Sequence, residues 1–256
     1  MIEELLEAAT EIAKIGGHHT LTYFKKDVEV ISKSDDSPVT VADRETEQLI
    51  RKEIKKRYPE HGIIGEEFGK ENEESDIQWV LDPIDGTKSF IHGVPFYTTL
   101  VGILIHNEPK VGIIYAPALE ELCAAGIGYG ATLNGKPCRV RDTEKLEDAT
   151  FLITEIDRFR LMGQQELFQE LMLKTKLQRT WGDAYGHMMV ATGRADLMYD
   201  PELNIWDAAA LLPVVQEAGG IFSDSKGRQT IHSGHGYSTN KALFPQVKRI
   251  FEAHNK

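Results

Sequence analysis

Cysteine is nearly absent from this chain. Only Cys123 and Cys138 occur, with no CxxC spacing, which excludes a disulfide framework and points to a reducing cytoplasm. No apolar run approaches the roughly 20 residues of a membrane span. The start, Met1-Ile2-Glu3-Glu4, lacks the basic and apolar regions of a signal peptide. Positive charge is also in deficit: 29 Lys and Arg stand against 40 Asp and Glu, a net −11. That balance argues against a nucleic-acid partner, which calls for a basic stripe. The nine histidines form no HExxH, and Ser89 and Ser238 sit in no nucleophile elbow. There is no internal repeat and no low-complexity stretch. What remains is an acidic chain of 256 residues, 41% of them hydrophobic, enough for one large domain or two small ones.

The most informative stretch is Trp79-Val80-Leu81-Asp82-Pro83-Ile84-Asp85-Gly86-Thr87. An apolar run ending in acids reads as a buried strand that delivers charge at its end. Pro83 removes a backbone donor and cannot sit inside a helix, so a turn is expected to bring Asp82 and Asp85 to one point. Clustered oxygen ligands of this kind suit a hard cation such as Mg²⁺. The Gly86 and Thr87 amides and the Thr87 hydroxyl offer donors for an anion, with phosphate the natural fit. Three other segments carry acids beside apolar residues: Ser37–Asp43, Ile63-Ile64-Gly65-Glu66-Glu67 and Trp206-Asp207-Ala208-Ala209-Ala210.

Periodicity predicts a helix over 2–15, a bend at Gly16-Gly17, and a second helix from Asp43 to Tyr58. Ile63-Ile64 and Gln78–Leu81 read as short buried strands. Phe96–Ile105 and Lys110–Tyr115 form a hairpin about Asn107-Glu108-Pro109. Glu121–Gly126 and Ala131–Leu133 continue the meander. Gly126-Ile127-Gly128-Tyr129-Gly130 is then a hairpin loop, not a dinucleotide loop, because no strand-to-helix turn surrounds it. Beyond Arg141 strands and helices alternate: strands at Thr150–Thr154, Ala195–Tyr199 and Ile221–Ser223, helices at Gln164–Leu173, Asp183–Thr192, Trp206–Ala218 and Phe244–His254. A boundary near residue 142 follows, dividing an α+β part (1–142) with an antiparallel sheet from an α/β part (143–256) with a mixed, mostly parallel sheet.

The joint presence of GEE at Gly65–Glu67, DPIDGT at Asp82–Thr87 and WDAA at Trp206–Ala209 resembles the inositol-monophosphatase-like family of Mg²⁺-dependent phosphatases. The resemblance runs from about Ser37 to Asn240. It implies one layered αβαβα molecule of the sugar-phosphatase-like fold, holding two or three Mg²⁺ ions. It implies that Glu66, Asp82 and the Ile84 carbonyl hold a first ion, and that Asp82, Asp85 and Asp207 hold a second. Asp85, Gly86 and Thr87 would bind the phosphate. Thr87 and Asp43 would orient and deprotonate the attacking water, with Glu66 assisting as base; Glu67 would either touch a metal through water or lie behind the metal ligands. A homodimer is the usual assembly of such proteins. Each acid also has a plainer reading. Thr40-x-x-Asp43 is a capping box, and Asp183 and Asp207 stand where helix caps stand.

Lys88 in DPIDGTKSFIHG, Asp183 in RTWGDAYG and Asp200 in DPELNIWD look like the histidinol-phosphatase branch. An amino-alcohol phosphate carries an ammonium group that needs carboxylate partners, and Asp183 and Asp200 would supply them. The expected reaction is hydrolysis of a small-molecule phosphate monoester, histidinol phosphate first, with an inositol-1-phosphatase or broad-specificity phosphatase as the alternative. A metal- or phosphate-binding protein without catalysis is the remaining reading. Lys33 is a surface lysine or faces the site, and the polar stretch Glu67–Asp76 reads as a loop.

Overall fold

The structure is a computed structural model that describes residues 1–26, 30–32 and 38–254. It opens with α1 (Ile2–Leu21), β1 (Val30–Ser32), β2 (Pro38–Thr40) and α2 (Val41–Arg57). Next come β3 (Gly62–Gly65), β4 (Gly69–Glu71), β5 (Ile77–Asp85) and α3 (Thr87–Ile91). A meander follows: β6 (Thr98–Ile105), β7 (Glu108–Ala116), β8 (Glu121–Gly126), β9 (Gly130–Leu133) and β10 (Lys136–Pro137). The rest is β11 (Thr150–Ile153), α4 (Ile156–Leu161), α5 (Gln165–Lys174), β12 (Leu177–Arg179), α6 (Asp183–Ala191), β13 (Leu197–Asp200), α7 (Ile205–Glu217), β14 (Ile221–Ser223), β15 (Gly236–Thr239) and α8 (Phe244–His254).

These elements stack in five layers. The first sheet has eight strands in the order β10-β9-β8-β7-β6-β5-β3-β4, all antiparallel neighbours except the parallel β3–β5 pair. Its outer face is covered by α1 and α2, whose Leu5, Ile12, Ile50 and Ile54 pack on Trp79, Val101 and Ile113. Its inner face lies on α6 and α7, which also cover the second sheet. That second sheet runs β12-β11-β13-β15-β14, with parallel pairing on its β12–β11–β13 side and antiparallel pairing through β15. Phe159, Leu167, Ile250 and Phe251 of α4, α5 and α8 close its far face. The expected αβαβα layering is therefore the observed one. Helix α7 is buried on all sides from Ala208 to Val215, as a helix between two sheets must be.

Three local features differ from the sequence expectation. α1 runs straight through Gly16-Gly17 instead of bending there. The pair is a contact notch: a Cβ on Gly16 would lie 2.5 Å from Ile50 Cδ1, and one on Gly17 2.4 Å from Tyr115 Cδ1. The β6–β7 turn is His106-Asn107, both at positive φ (51° and 62°), the geometry of a two-residue turn whose twist matches its strands. The stretch after Glu67 is not a bare loop, since β4 pairs antiparallel with β3. β12, β15 and α4 had no clear sequence signal, being short.

Candidate functional site

The decisive local feature is a bulge in β5. On a regular strand residues three apart point to opposite faces. Here Asp82 pairs with Leu100 and Asp85 with Thr98, so three steps on β5 match two on β6. The extra residue at Pro83-Ile84 turns the strand by half a period. Asp82 and Asp85 therefore face the same crevice. The Ile84 amide donates to Asp82 Oδ1 at 3.0 Å, which fixes the turn. The first turn of α7 brings Asp207 to the same place. Ligand oxygens of Asp82, Asp85 and Asp207 all lie within 4.8 Å of one another.

The crevice between the two sheets has a volume of about 480 Å³. Glu66, Ile84, Gly86, Thr87, Asp183 and Asp200 line it along with the three clustered acids. Asp43 stands immediately behind Thr87. Its Oδ2 accepts from the Thr40 amide at 2.7 Å and the Thr40 hydroxyl at 2.6 Å, while the Thr87 hydroxyl lies 3.3 Å from its Oδ1. The capping role and the placement beside Thr87 thus coexist, one on each oxygen. Asp207 is likewise a capping residue, accepting from the Asn204 amide at 2.6 Å, and a member of the cluster. The cap reading of Asp183 fails: the N-cap of α6 is Gly182, and Asp183 is the first residue inside the helix. It holds a positive φ of 52°, a costly conformation for a residue with a Cβ. Its carboxylate packs on Gly86, where a Cβ would sit 2.8 Å from Asp183 Oδ2. Gly86 itself adopts the left-handed conformation, φ 80°, that glycine tolerates. Lys33 lies outside the described residues.

The electrostatics are those of concentrated, unneutralised acid. Burial raises the Asp82 carboxyl well above its ordinary range, and Glu66, Asp85, Asp207 and Asp43 push it further. Burial raises Asp85 as well, with Asp183 adding to it, against the lowering pull of the Ala184 amide and the Thr98 hydroxyl. Asp207 is raised by burial and then by Asp85. Burial lifts Asp43 to about 6 despite its two bonds from Thr40, and lifts Asp183 to about 7 with help from Asp200 and Glu155. Carboxylates forced together in this way want a cation. Their donor set is oxygen alone, which fits a hard divalent ion and not a thiolate- or imidazole-seeking one.

The loop that presents Glu66 is anchored from behind. Glu47 on α2, with no exposed surface, accepts from the Glu67 amide at 2.7 Å, the Phe68 amide at 3.2 Å and Arg51 Nε at 2.8 Å. Arg51 also reaches the Gly69 carbonyl and pairs with Glu71 at 3.5 Å. Sequence reasoning passed over this pair, and also Thr154, Glu155, Arg158, His187 and Glu202. Thr154 directly follows β11, and the carboxyl end of a parallel strand is where such sheets bind ligands; that signal was available. His187 lies four residues after Asp183, on the same face of α6. At the crevice mouth Lys88 pairs with Glu155, and Arg158 bridges Glu155 at 3.5 Å and Glu202 at 2.8 Å.

An αβαβα sandwich with a carboxylate-lined crevice between its sheets is the architecture of the sugar-phosphatase-like proteins. Within that class the chain belongs to the inositol monophosphatase family, whose model matches residues 1–256. It is 42% identical over 240 residues to a histidinol-phosphatase from Chlorobaculum parvum, covering 93% of each chain. It is 35% identical over 228 residues to an inositol-1-monophosphatase from Synechocystis, covering 87% of this chain and 79% of the relative. Among solved structures it is similar to the extragenic suppressor protein suhB from Bartonella henselae, with a TM-score of 0.91, 27% identity and coverage of 97% and 98%. Among the described residues no helix is long and apolar enough to cross a membrane.

Proposed function

We propose that this protein is a Mg²⁺-dependent phosphomonoesterase whose substrate is histidinol phosphate. The observation that carries the reading is one crevice with two acid sets: Asp82, Asp85 and Asp207 converging within 4.8 Å, and Asp183 and Asp200 lining the same crevice beside them. The first set, with Glu66 and the Ile84 carbonyl, would hold the divalent ions. When bound, they supply Lewis-acid stabilisation of the phosphoryl oxygens and lower the pKa of the attacking water.

The chain's own groups do the rest. The amides at the start of α3 have no partner within the helix and would hold the phosphate. Thr87 orients the water, and Asp43 takes up its proton through the Thr87 hydroxyl, 3.3 Å away. A carboxylate held at about 6 is a competent base near neutral pH. The water oxygen forms the new bond to phosphorus, the ester P–O bond breaks, and the departing alkoxide takes a proton from solvent water in the open crevice. Asp183 and Asp200 pair with the substrate ammonium, each charge-assisted bond contributing about 1.5–3 kcal/mol. The similarity to a relative named histidinol-phosphatase at 42% identity supports this choice of ester. The inositol-1-monophosphatase relative keeps a cyclitol phosphate as the second reading.

Phosphate release from histidinol phosphate and inositol 1-phosphate, each with Mg²⁺ and then with EDTA, separates them. Mg²⁺-dependent preference for histidinol phosphate, lost in Asp183→Ala through a raised KM, is the expected result. Equal turnover of both esters would transfer the function to the broader phosphatase, and release unaffected by EDTA would remove the metal chemistry.

A further inference from the structure

Asp200, at the end of β13 and 4% exposed, is held from inside the protein on both oxygens. The Thr154 hydroxyl donates to Oδ1. The ring of His187, with no exposed surface, approaches Oδ2 through Nε2 at 3.2 Å, and its Nδ1 lies 2.6 Å from the Ser238 hydroxyl on β15. A carboxylate can only accept, so Nε2 carries the proton. In the tautomer with that single proton, Nδ1 accepts and Ser238 donates. This row of Ser, His and Asp matches a hydrolase triad in composition alone. Ser238 is wholly buried within its strand, where no substrate reaches it. What the row can do is orient a carboxylate. Each carboxylate oxygen has two lone-pair directions. Thr154 and His187 each take one from inside, which leaves the others for the crevice. Thr154 has a second duty, because its hydroxyl also accepts from the Asp183 amide at 2.7 Å. One side chain thus fixes the backbone of the first substrate-facing acid and the carboxylate of the second.

We infer that His187, through its Nε2–H bond to Asp200, is a positioning residue that makes the crevice selective for phosphate esters carrying a cationic amine. The inference rests on the ammonium-binding role given above to Asp183 and Asp200. Its physical basis is preorganisation. A carboxylate that must be frozen on binding returns less affinity than one already aimed. The polar contacts of the His187 ring are Asp200 and Ser238, not the clustered acids, so the effect falls on binding of the amine end and not on the chemical step.

Two substitutions in the full-length protein isolate that bond. The side-chain nitrogen of glutamine falls near the position of imidazole Nε2, and that of asparagine near Nδ1. His187→Gln therefore keeps a donor to Asp200, whereas His187→Asn can reach only towards Ser238. With Mg²⁺ present, His187→Asn should raise KM for histidinol phosphate about tenfold or more, as loss of a hydrogen bond to a charged group implies. Its kcat, and both constants for p-nitrophenyl phosphate, should stay within about twofold of wild type, and His187→Gln should recover most of the loss. Parallel losses on both esters, an unchanged KM in His187→Asn, or a His187→Gln no better than His187→Asn would each overturn the inference. Wild-type enzyme that does not favour the cationic ester would overturn the substrate reading and this inference together. Wild type that does favour it, and a His187→Asn that favours it equally, overturns the inference alone. If His187→Asn does not fold, the imidazole Nε2–H resonance of the wild type decides. It should be protected from exchange and vanish in Asp200→Ala; its absence from wild type counts against the proposal.

Discussion

Asp82→Asn should make the metal-free protein more stable while destroying its activity. Asp82 lies within 4.8 Å of Asp85 and Asp207. At an effective dielectric of about 20, each fully ionised pair at that distance costs about 3.5 kcal/mol. The apoprotein escapes part of this by retaining protons, in keeping with the raised Asp82, Asp85 and Asp207 carboxyls. Retention has its own cost, about 1.4 kcal/mol for each pH unit above the ordinary carboxylate value of about 3.9. Asparagine removes one charge from the cluster, and its carbonyl still accepts the Ile84 amide that holds the bulge. The net gain is about 2–4 kcal/mol. For a chain of this length that raises Tm by about 5–10 °C. Thermal melts in EDTA and in Mg²⁺, alongside phosphate release, read the result. Wild type should gain the more from Mg²⁺, and the variant should have lost turnover. An apo variant less stable than wild type would refute the repulsion argument, and retained turnover would refute the ligand role.

The same cluster sets a pH dependence. Asp43 and Asp183 are raised by burial to about 6 and about 7, so between about pH 4 and 7 the folded state binds protons that the unfolded state releases. Stability of the EDTA-treated protein should therefore fall as pH rises from 5 to 7.5; urea titrations showing a flat or rising profile would contradict this. Glu47→Gln should cost about 3 kcal/mol, because it leaves the buried Arg51 guanidinium only the half-exposed Glu71 carboxylate at 3.5 Å and the Gly69 carbonyl, and should weaken the Mg²⁺ dependence of activity by loosening the Glu66 turn. Unchanged urea midpoint and Mg²⁺ titration would show that the pair anchors nothing. Gly17→Ala should destabilise by about 1–3 kcal/mol through the clash with Tyr115, without change in KM.

Much of this protein was legible in its sequence, and the reason is physical. Asp82-Pro83-Ile84-Asp85-Gly86-Thr87 combines a strand-ending Pro, paired acids and a glycine free to take positive φ, and few local structures accept that combination. Alternation in the meander and 3.6-residue periodicity in α1 and α2 gave element types because burial on one face writes those periods directly, and α7 was legible as a long apolar run. Other features depend on a partner distant in the chain. Gly16-Gly17 reads as a break until Ile50 and Tyr115 are seen filling the notch. Asp43 and Asp207 carry a cap reading and a site reading in the sequence, and the structure shows the capping bonds beside Thr87 and the neighbouring acids. The sequence by itself determined that carboxylates would gather at a strand end beside a Gly-Thr turn, since Pro83 ends the strand between two acids and Gly86 is free to take positive φ. Only the tertiary structure decided that the bulge aims Asp82 and Asp85 the same way, that α7 delivers Asp207 between two sheets, and that His187 lies behind Asp200. Those are facts of long-range packing, and no local preference encodes them.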